Sequence, residues 1–345
     1  MICTSHRLLG GHVGSSSGKM DYVQSKVDFW TQCVSRLADV ASKQPQDAYA
    51  ALTKSVMFEW SFLQRIVPEC GELFEPVEEM ISDRFLPQLL GCELSADERI
   101  LFALPIKFAG LGIANPTATA NSAFETSKTA TKHLSTAIQG QARMDTREHH
   151  LSVTRARSAH RASRKRENAA AFNTVLQTFP ESKQRVLRRA ADHPIGSWLS
   201  VLPCTKNNAV LSPREFRDGI ALRYQKPLMQ LPSLCDGCGS RFSVDHGLNC
   251  PNGGNLIERH NEIRDLAGQL ASLAFSHVTR EPVVREPGTG DSSECGLVCD
   301  LAVRGAWQPQ TEALIDFRVC NTDAQSYANR PVMAVLDSIA KSKKG

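Results

Sequence analysis

The chain has 345 residues, 41% hydrophobic and 22% charged, which is the composition of a folded globular protein and excludes a disordered or fibrous chain. At ~150 residues per domain, this length predicts two or three domains. The longest apolar stretch, Ile100 to Ala114, contains Pro105 and Lys107 and is shorter than the ~20 residues of a membrane-spanning helix. The N-terminal residues also lack a signal-peptide pattern, so we expect a nuclear or cytoplasmic protein with no membrane partner.

The first 117 residues carry the apolar periodicity of helices. Val23, Val27 and Trp30 recur at steps of four and three residues, which places them on one stripe of an amphipathic helix. Pro45 predicts the end of that helix, because proline cannot continue it. We therefore expect a helical bundle in residues 1–117.

Positive charge is concentrated between residues 143 and 189. This segment holds twelve Lys and Arg against four Asp and Glu, whereas the whole chain has a net charge of +4. Clustered positive charge suits a polyanion, because each neutralised phosphate releases counterions. We expect nucleic-acid binding here; a solvated helix face or a disordered basic linker is the alternative. The residues expected to contact nucleic acid are Arg155, Arg157, Arg161, Arg164, Lys165, Arg166, Arg188 and Arg189.

Changes in composition along the chain indicate four segments. The stretch after residue 117 is rich in Ala, Ser, Thr and Arg and predicts a partly helical connector. Ordered character returns near Trp198, and Ser212 followed by Pro213 predicts the start of a helix. The expected segments are a helical region at 1–117, a basic helical connector at 118–195, a linker helix with a Cys/His cluster at 196–255, and a small α/β domain at 256–345.

Three of the eleven cysteines lie within sixteen residues, next to a histidine. Cys235 and Cys238 are separated by two residues, and His246 and Cys250 follow, which is a typical spacing for a tetrahedral zinc site. Because four protein ligands leave no open position, we expect this zinc to stabilise the fold rather than to perform chemistry. The alternative is four reduced side chains that are close together without a metal. Cys295 and Cys299 lack a second pair, and we interpret them as unliganded.

The last 90 residues predict a helix followed by three strands. The helix is expected to bury a stripe of five residues, and the strands are expected at 277–284, 297–303 and 313–320. Two strand candidates each contain one aspartate among apolar residues, Asp300 and Asp316, and a buried carboxylate needs a partner or a cation. Two such carboxylates on one face could bind Mg²⁺ or Mn²⁺. Ion pairs of Asp316 with Arg304 or Arg318 are the alternative. The five helix residues expected to be buried are Ile263, Leu266, Leu270, Leu273 and Ala274.

The order of these motifs resembles a known family. A Cys/His cluster is followed by Arg259, His260 and Asn261 at the start of a helix, then by one strand with Asp and one with Asp-x-basic. This order is similar to the C-terminal part of retrotransposon proteins that lack long terminal repeats and carry a restriction-like endonuclease of the PD-(D/E)XK kind. Upstream phrases resemble the end of the polymerase palm and the thumb of such reverse transcriptases. They are HRLLGGHVGSSS, KVDFW, QPQDAYAAL, LPQLLG and ALPIKFAGLGIANP.

The resemblance implies a fold and an activity. The fold would be a multidomain α+β protein with a helical thumb-like bundle, a CCHC zinc knuckle and a small α/β restriction-endonuclease-like domain. The activity would be metal-dependent nicking of target DNA, from which the element's RNA is copied. DNA is therefore the expected partner and element RNA a second one. Because the chain contains no Asp-Asp dipeptide to hold polymerase metals, we expect no polymerase activity from it.

The resemblance also implies roles for individual residues. Asp300 and Asp316 would be the magnesium ligands, Glu262 or Glu281 a third carboxylate, and Arg259 and His260 nucleic-acid contacts. The family places its lysine on a later helix, which by position falls to Lys341, Lys343 or Lys344. Arg318 stands at the usual lysine position and can stabilise charge but cannot act as a base.

A second function is compatible with the same residues. The chain ends where related proteins continue, so we expect either a nuclease module or a catalytically inactive, zinc-containing nucleic-acid-binding remnant.

Overall fold

The computed structural model separates the chain into two compact units, residues 1–228 and 229–345. It is helix-rich, with small antiparallel sheets, which places the protein in the α+β class. In the described residues no helix combines the length and the apolar character needed to span a membrane. The residues described are 5–192, 194–228, 230–252, 255–285, 296–322, 324–327 and 329–342.

The first unit consists of a short hairpin and ten helices in its described residues. The hairpin is β1 (Ser5–Leu8) and β2 (Gly11–Gly14). The helices are α1 (Ser16–Lys43), α2 (Pro45–Ala51), α3 (Met57–Ile66), α4 (Glu75–Met80), α5 (Leu86–Leu90), α6 (Ala96–Ala103), α7 (Pro116–Gln139), α8 (Thr146–Leu176), α9 (Glu181–Asp192) and α10 (Pro213–Tyr224).

Helix α1 follows the pattern in its sequence. Ser15 accepts a hydrogen bond from the Gly18 N–H and caps its start, and Val23, Val27 and Trp30 are buried on one stripe. The helix ends before Pro45, which becomes the first residue of α2. These predictions are confirmed.

The segment predicted as a connector forms long helices attached to the first unit. α7 packs against α3 and α8, and Phe172, Val175 and Leu176 at the end of α8 are buried in the common core. The rest of α8 is mostly exposed. The basic segment is therefore held on a continuous helix of 31 residues.

Residues 196–228 also pack on the first unit. Phe216 lies against Tyr49, and Tyr224 lies edge-on to Phe102 with its hydroxyl donating to the Ala109 carbonyl at 2.9 Å. The apolar face of α10 is thus buried by residues from the start of the chain. The structure divides the chain at 228 and 229, whereas the sequence analysis expected a boundary at 195 and 196.

A buried ion cluster joins three parts of this unit. Glu98 at the start of α6 accepts hydrogen bonds from Lys183 on α9 at 3.0 Å and from Lys226 after α10 at 2.8 Å. All three side chains are at most 14% exposed. Burial alone would raise the pKa of Glu98, but the bonds from Lys226 and Lys183 hold it below its ordinary value.

Replacing Glu98 by Gln is expected to lower the free energy of unfolding by about 3 to 5 kcal/mol, because two ammonium groups would remain buried without a carboxylate. A lowered pKa stabilises the fold above the ordinary carboxyl pKa of 4.5, and this contribution is lost as pH falls through the folded-state value. The difference between wild type and Glu98→Gln in urea unfolding should therefore be large at pH 7 and shrink below pH 4.5.

Glu215→Gln is the matched control, because Glu215 holds the same position in the capping box of α10 and is exposed. It should change the unfolding midpoint much less. Equal effects of the two substitutions would show that the cap, not the ion cluster, carries the energy.

The second unit combines three helices with two small antiparallel sheets in its described residues. One sheet has the order β3, β6, β7, and the other pairs β4 with β5. Its described core consists mainly of β6, where Leu301, Ala302 and Val303 are buried. The elements are α11 (Val244–Asn249), α12 (Asn255–Ser272), β3 (Val278–Arg280), β4 (Val283–Arg285), β5 (Leu297–Val298), β6 (Leu301–Arg304), β7 (Glu312–Ile315) and α13 (Val332–Lys341).

The buried stripe predicted for α12 is wrong. Gly268 is buried instead, and a Cβ at that position would lie 3.1 Å from Arg280 Nε and 3.3 Å from Leu301 Cδ1. The helix therefore approaches the sheet through a residue without a side chain, and the larger apolar residues lie elsewhere on its surface. The five residues predicted as buried, Ile263, Leu266, Leu270, Leu273 and Ala274, are exposed.

Candidate metal centre and carboxylate row

The Cys235–Cys238 segment forms a tight hairpin turn. The Cys235 N–H donates to the Ser240 carbonyl and the Gly239 N–H donates to the Cys235 carbonyl, both at 2.8 Å. Gly239 has φ +71°, a left-handed conformation that glycine adopts without strain. This turn brings the two sulfurs to one side of the hairpin.

Helix α11 supplies the other two ligand atoms. Ser243 caps its start by accepting a hydrogen bond from the His246 N–H at 3.0 Å, and Cys250 follows its last residue. Cys238 Sγ lies 3.2 Å from His246 Nε2, and Cys235 Sγ lies 3.7 Å from Cys250 Sγ.

The four ligand atoms lie within 4.8 Å of one another. A tetrahedral zinc site, with metal–ligand distances of ~2.0–2.3 Å, has edges of about 3.5–3.8 Å. The cluster of Cys235, Cys238, His246 and Cys250, called the Cys/His cluster below, could therefore bind a metal ion such as zinc.

The electrostatics of the Cys/His cluster favour thiolates. The backbone N–H groups of Cys238 and Gly237 lower the pKa of Cys235, and the Ser240 hydroxyl and N–H lower the pKa of Cys238 to about 6. The Cys235 sulfur in turn raises the pKa of His246. A bound cation would take the place of the proton that the sulfurs hold on this histidine.

Three carboxylates occupy corresponding positions on the strands of the larger sheet. The β6–β7 register pairs Leu301 with Ile315, so Asp300 and Asp316 are the next opposed residues. On the other side of β6 the register continues to Glu281, whose N–H donates to the Asp300 carbonyl at 3.0 Å. Directly opposed residues in antiparallel strands have Cβ atoms about 5 Å apart. We call Glu281, Asp300 and Asp316 the carboxylate row.

The row lies beyond the ends of the strands rather than inside them. Asp300 immediately precedes β6 and its side chain is 14% exposed, whereas Asp316 follows β7 and is exposed. The expectation that Asp316 is buried within a strand is wrong, because β7 ends at Ile315 and not at Cys320.

Helix α12 directs two side chains toward this row. His260 Nε2 lies 2.8 Å from Asp300 Oδ1, and the Arg264 guanidinium forms an ion pair with Glu281. The Phe317 N–H donates to Asp300 Oδ2. His260 and Arg264 are four residues apart and so share a face of the helix. Arg264 was missed by the sequence analysis, although its spacing from His260 was a usable signal.

Two other predicted residues of α12 lie differently. Glu262 is exposed and stands about 200° around the helix from His260, so it faces away from the carboxylate row. Arg259 Nε is buried and has no hydrogen-bond partner among the described residues.

The basic residues proposed for catalysis lie near the end of the described chain. Arg318 is exposed and donates to Ser342 Oγ at 3.3 Å, which brings the end of α13, where Lys341 is exposed, next to the segment after β7. Arg304 lies opposite Glu312, at the far end of the strands from Asp316. Cys295, Lys343 and Lys344 lie outside the described residues.

The basic side chains of α8 form an extended surface. Arg157, Arg161 and Lys165 are exposed at steps of four residues and therefore lie on one face. Arg155 and Arg164 are near Glu148 and Glu167, at 3.4 and 3.7 Å. The remaining predicted contacts are Arg166 and Arg188, which are exposed, and Arg189, which is half-buried.

Comparison of the chain with protein-family models, with curated proteins and with solved structures finds no match.

Proposed function

We propose that this chain is part of a retrotransposon-encoded protein in which residues 229–345 form a metal-dependent DNA endonuclease. The observation that carries the proposal is the carboxylate row, in which Glu281, Asp300 and Asp316 occupy opposed positions at one end of a sheet. Carboxylate oxygens are the ligands that Mg²⁺ and Mn²⁺ prefer. The reaction would be the nicking of target DNA before reverse transcription.

The residues around the row support definite roles. A bound Mg²⁺ or Mn²⁺ would activate water and stabilise charge on the scissile phosphate. Asp300 and Asp316 would hold the ion, with Glu281 as the third carboxylate, and His260 and Arg264 would fix the orientation of Asp300 and Glu281.

Two basic side chains would complete this site. Arg318 and Lys341 would offset the phosphate charge from the side of α13, where the Arg318–Ser342 contact brings their segments together.

We assign a structural zinc ion to the Cys/His cluster. Its four protein ligands leave no position for water or substrate, so its role is to hold the hairpin turn against α11. The nicking reaction would then depend on this zinc only through the folding of the unit.

The proposal is tested by plasmid nicking with the full chain, saturated with zinc beforehand. Supercoiled plasmid should become open-circular with Mg²⁺ or Mn²⁺ and stay supercoiled with Ca²⁺, which usually binds carboxylates without supporting such cleavage. Ca²⁺ replaces a chelator as the control because a chelator would also remove zinc. Failure to nick with either ion, or equal nicking in all conditions, would contradict the endonuclease.

One observation favours a binding protein without nuclease activity. Both carboxylate oxygens of Asp300 have hydrogen-bond partners, and Glu281 is paired with Arg264. In such a zinc-containing remnant these contacts would be structural ion pairs. The protein would bind DNA, or RNA of the element, through α8 without cutting it.

Both functions predict that α8 supplies affinity for phosphates. Replacing Arg157, Arg161 and Lys165 by Gln removes three charges from one face and should reduce the slope of log affinity against log salt by about 2 to 3 for duplex DNA. Fluorescence anisotropy with a labelled duplex at several salt concentrations measures the slope. Arg214→Gln, which removes an exposed charge on α10, is the control and should leave it nearly unchanged. A flat dependence in the wild type would mean that α8 is only a solvated helix.

A further inference from the structure

The loop that joins β6 to β7 presents a tryptophan to solvent. This loop, residues 305–311, is called the tip loop. Its Trp307 is 87% exposed, whereas Trp30 and Trp60 are at most 3% exposed and Trp198 is half-buried. Exposed indole is unfavourable in water, so an isolated, highly exposed tryptophan is a candidate contact residue.

The tip loop has a defined backbone. The Gly305 N–H donates to the Thr311 carbonyl at 2.8 Å, and the Thr311 hydroxyl donates to the Gln308 carbonyl at 2.9 Å. Gly305 has φ +85°, which opens the turn without strain. Trp307 is therefore carried by a loop with internal hydrogen bonds, and little ordering is needed for it to bind.

The charges of this unit disfavour a contact based on phosphate attraction. Residues 229–345 contain eleven Lys and Arg and fourteen Asp and Glu, and the tip loop, GAWQPQT, contains no charged residue. A nucleic acid would gain affinity here through the aromatic face and the amides of Gln308 and Gln310. The loop is too small for a standard protein interface, which buries about 800 Å² on each partner.

The position of the loop relative to the carboxylate row agrees with one bound strand reaching both. Asp300 and Gly305 are separated by five residues along one strand, or about 17 Å at ~3.3 Å per residue. This distance corresponds to about five stacked bases at ~3.4 Å each. A DNA strand bound at the row would pass within reach of Trp307.

We propose that Trp307 stacks on an unpaired base of the bound nucleic acid, a short distance from the phosphodiester held at the carboxylate row. The proposal rests on the endonuclease function for the identity of the ligand, but its test does not require cleavage. Aromatic stacking is tolerant of sequence and depends little on ionic strength, in contrast to the phosphate contacts of α8.

The first test uses the intrinsic fluorescence of the full chain with Ca²⁺, so that no DNA is cut. A short single-stranded oligonucleotide of mixed sequence should quench the emission of the wild type, because stacked bases quench indole. Trp307→Phe should lose most of this quenching, since the other three tryptophans are buried or half-buried. Equal quenching of both proteins overturns the proposal.

The second test compares affinities at high salt, where phosphate contacts are weak. Trp307→Leu should weaken binding to a duplex with a single-nucleotide bulge about tenfold, and Trp307→Phe should weaken it less, because phenylalanine still stacks. Binding to the same duplex without the bulge should change little. Unchanged affinity of Trp307→Leu, or equal losses for both duplexes, overturns the proposal, as does a wild type that self-associates through this residue.

The two proposals can fail separately. A protein that shows the Trp307-dependent quenching but never nicks DNA retains base stacking and loses the endonuclease. A protein that nicks DNA without Trp307-dependent quenching retains the endonuclease and loses base stacking.

Discussion

Cys238→Ser is expected to abolish zinc binding and to unfold residues 229–345 while leaving residues 1–228 folded. The buried hydrophobic residues in the described part of this unit are few: Cys235, Cys250, Leu301, Ala302, Val303 and Val335. A core of this size contributes little stability, so a metal ion would be the main support. Structural zinc contributes about 10–16 kcal/mol of apparent binding free energy in small domains, and serine is a poor replacement for a thiolate ligand.

Two measurements check this expectation. Metal analysis should give one zinc per wild-type chain and none for the variant, and limited proteolysis should remove residues 229–345 of the variant while 1–228 resist. Cys299→Ser is the matched control, since Cys299 is half-buried in the same unit but lies outside the Cys/His cluster. A Cys238→Ser protein as resistant to protease as wild type would contradict a supporting metal.

Substitution of the carboxylate row is expected to reduce nicking by at least about 100-fold, because metal-assisted catalysis loses its ion when a carboxylate ligand is removed. Asp300→Asn and Glu281→Gln should both have this effect. Their affinity for DNA should stay close to that of the wild type, since the basic surface of α8 lies in the other unit.

Two glutamates distinguish the row from a general effect of charge. Glu262→Gln should keep its activity, because Glu262 faces away from the row on α12. Glu312→Gln, at the opposite end of β7, should also nick like the wild type. Activity that is lost in Glu262→Gln and kept in Glu281→Gln would place the third carboxylate on the helix instead.

The sequence predicted best those features that depend on local spacing. The α1 stripe and the Cys/His cluster are set within a few turns of chain, where periodicity and ligand spacing are direct signals. The pairing of Asp300 with Asp316 was anticipated because each aspartate interrupted an apolar run.

Features that depend on packing between distant segments were not predictable in the same way. The burial of Gly268 in place of the leucines of α12 is decided by how closely the helix approaches β6, which no local pattern encodes. The contact of Arg264 with Glu281 and the packing of α10 against Tyr49 also bring together residues far apart in the chain. Sequence periodicity identifies an amphipathic face but not the surface that it meets.

The length of α8 has a consequence for the footprint of the protein. Its 31 residues span about 46 Å at ~1.5 Å per residue, and only its last turns are buried in the core of the first unit. A duplex lying along this helix would be covered over about 14 base pairs, more than one full turn of DNA. Enzymatic footprinting of a long duplex should then show protection of that extent even when the endonuclease unit is unfolded.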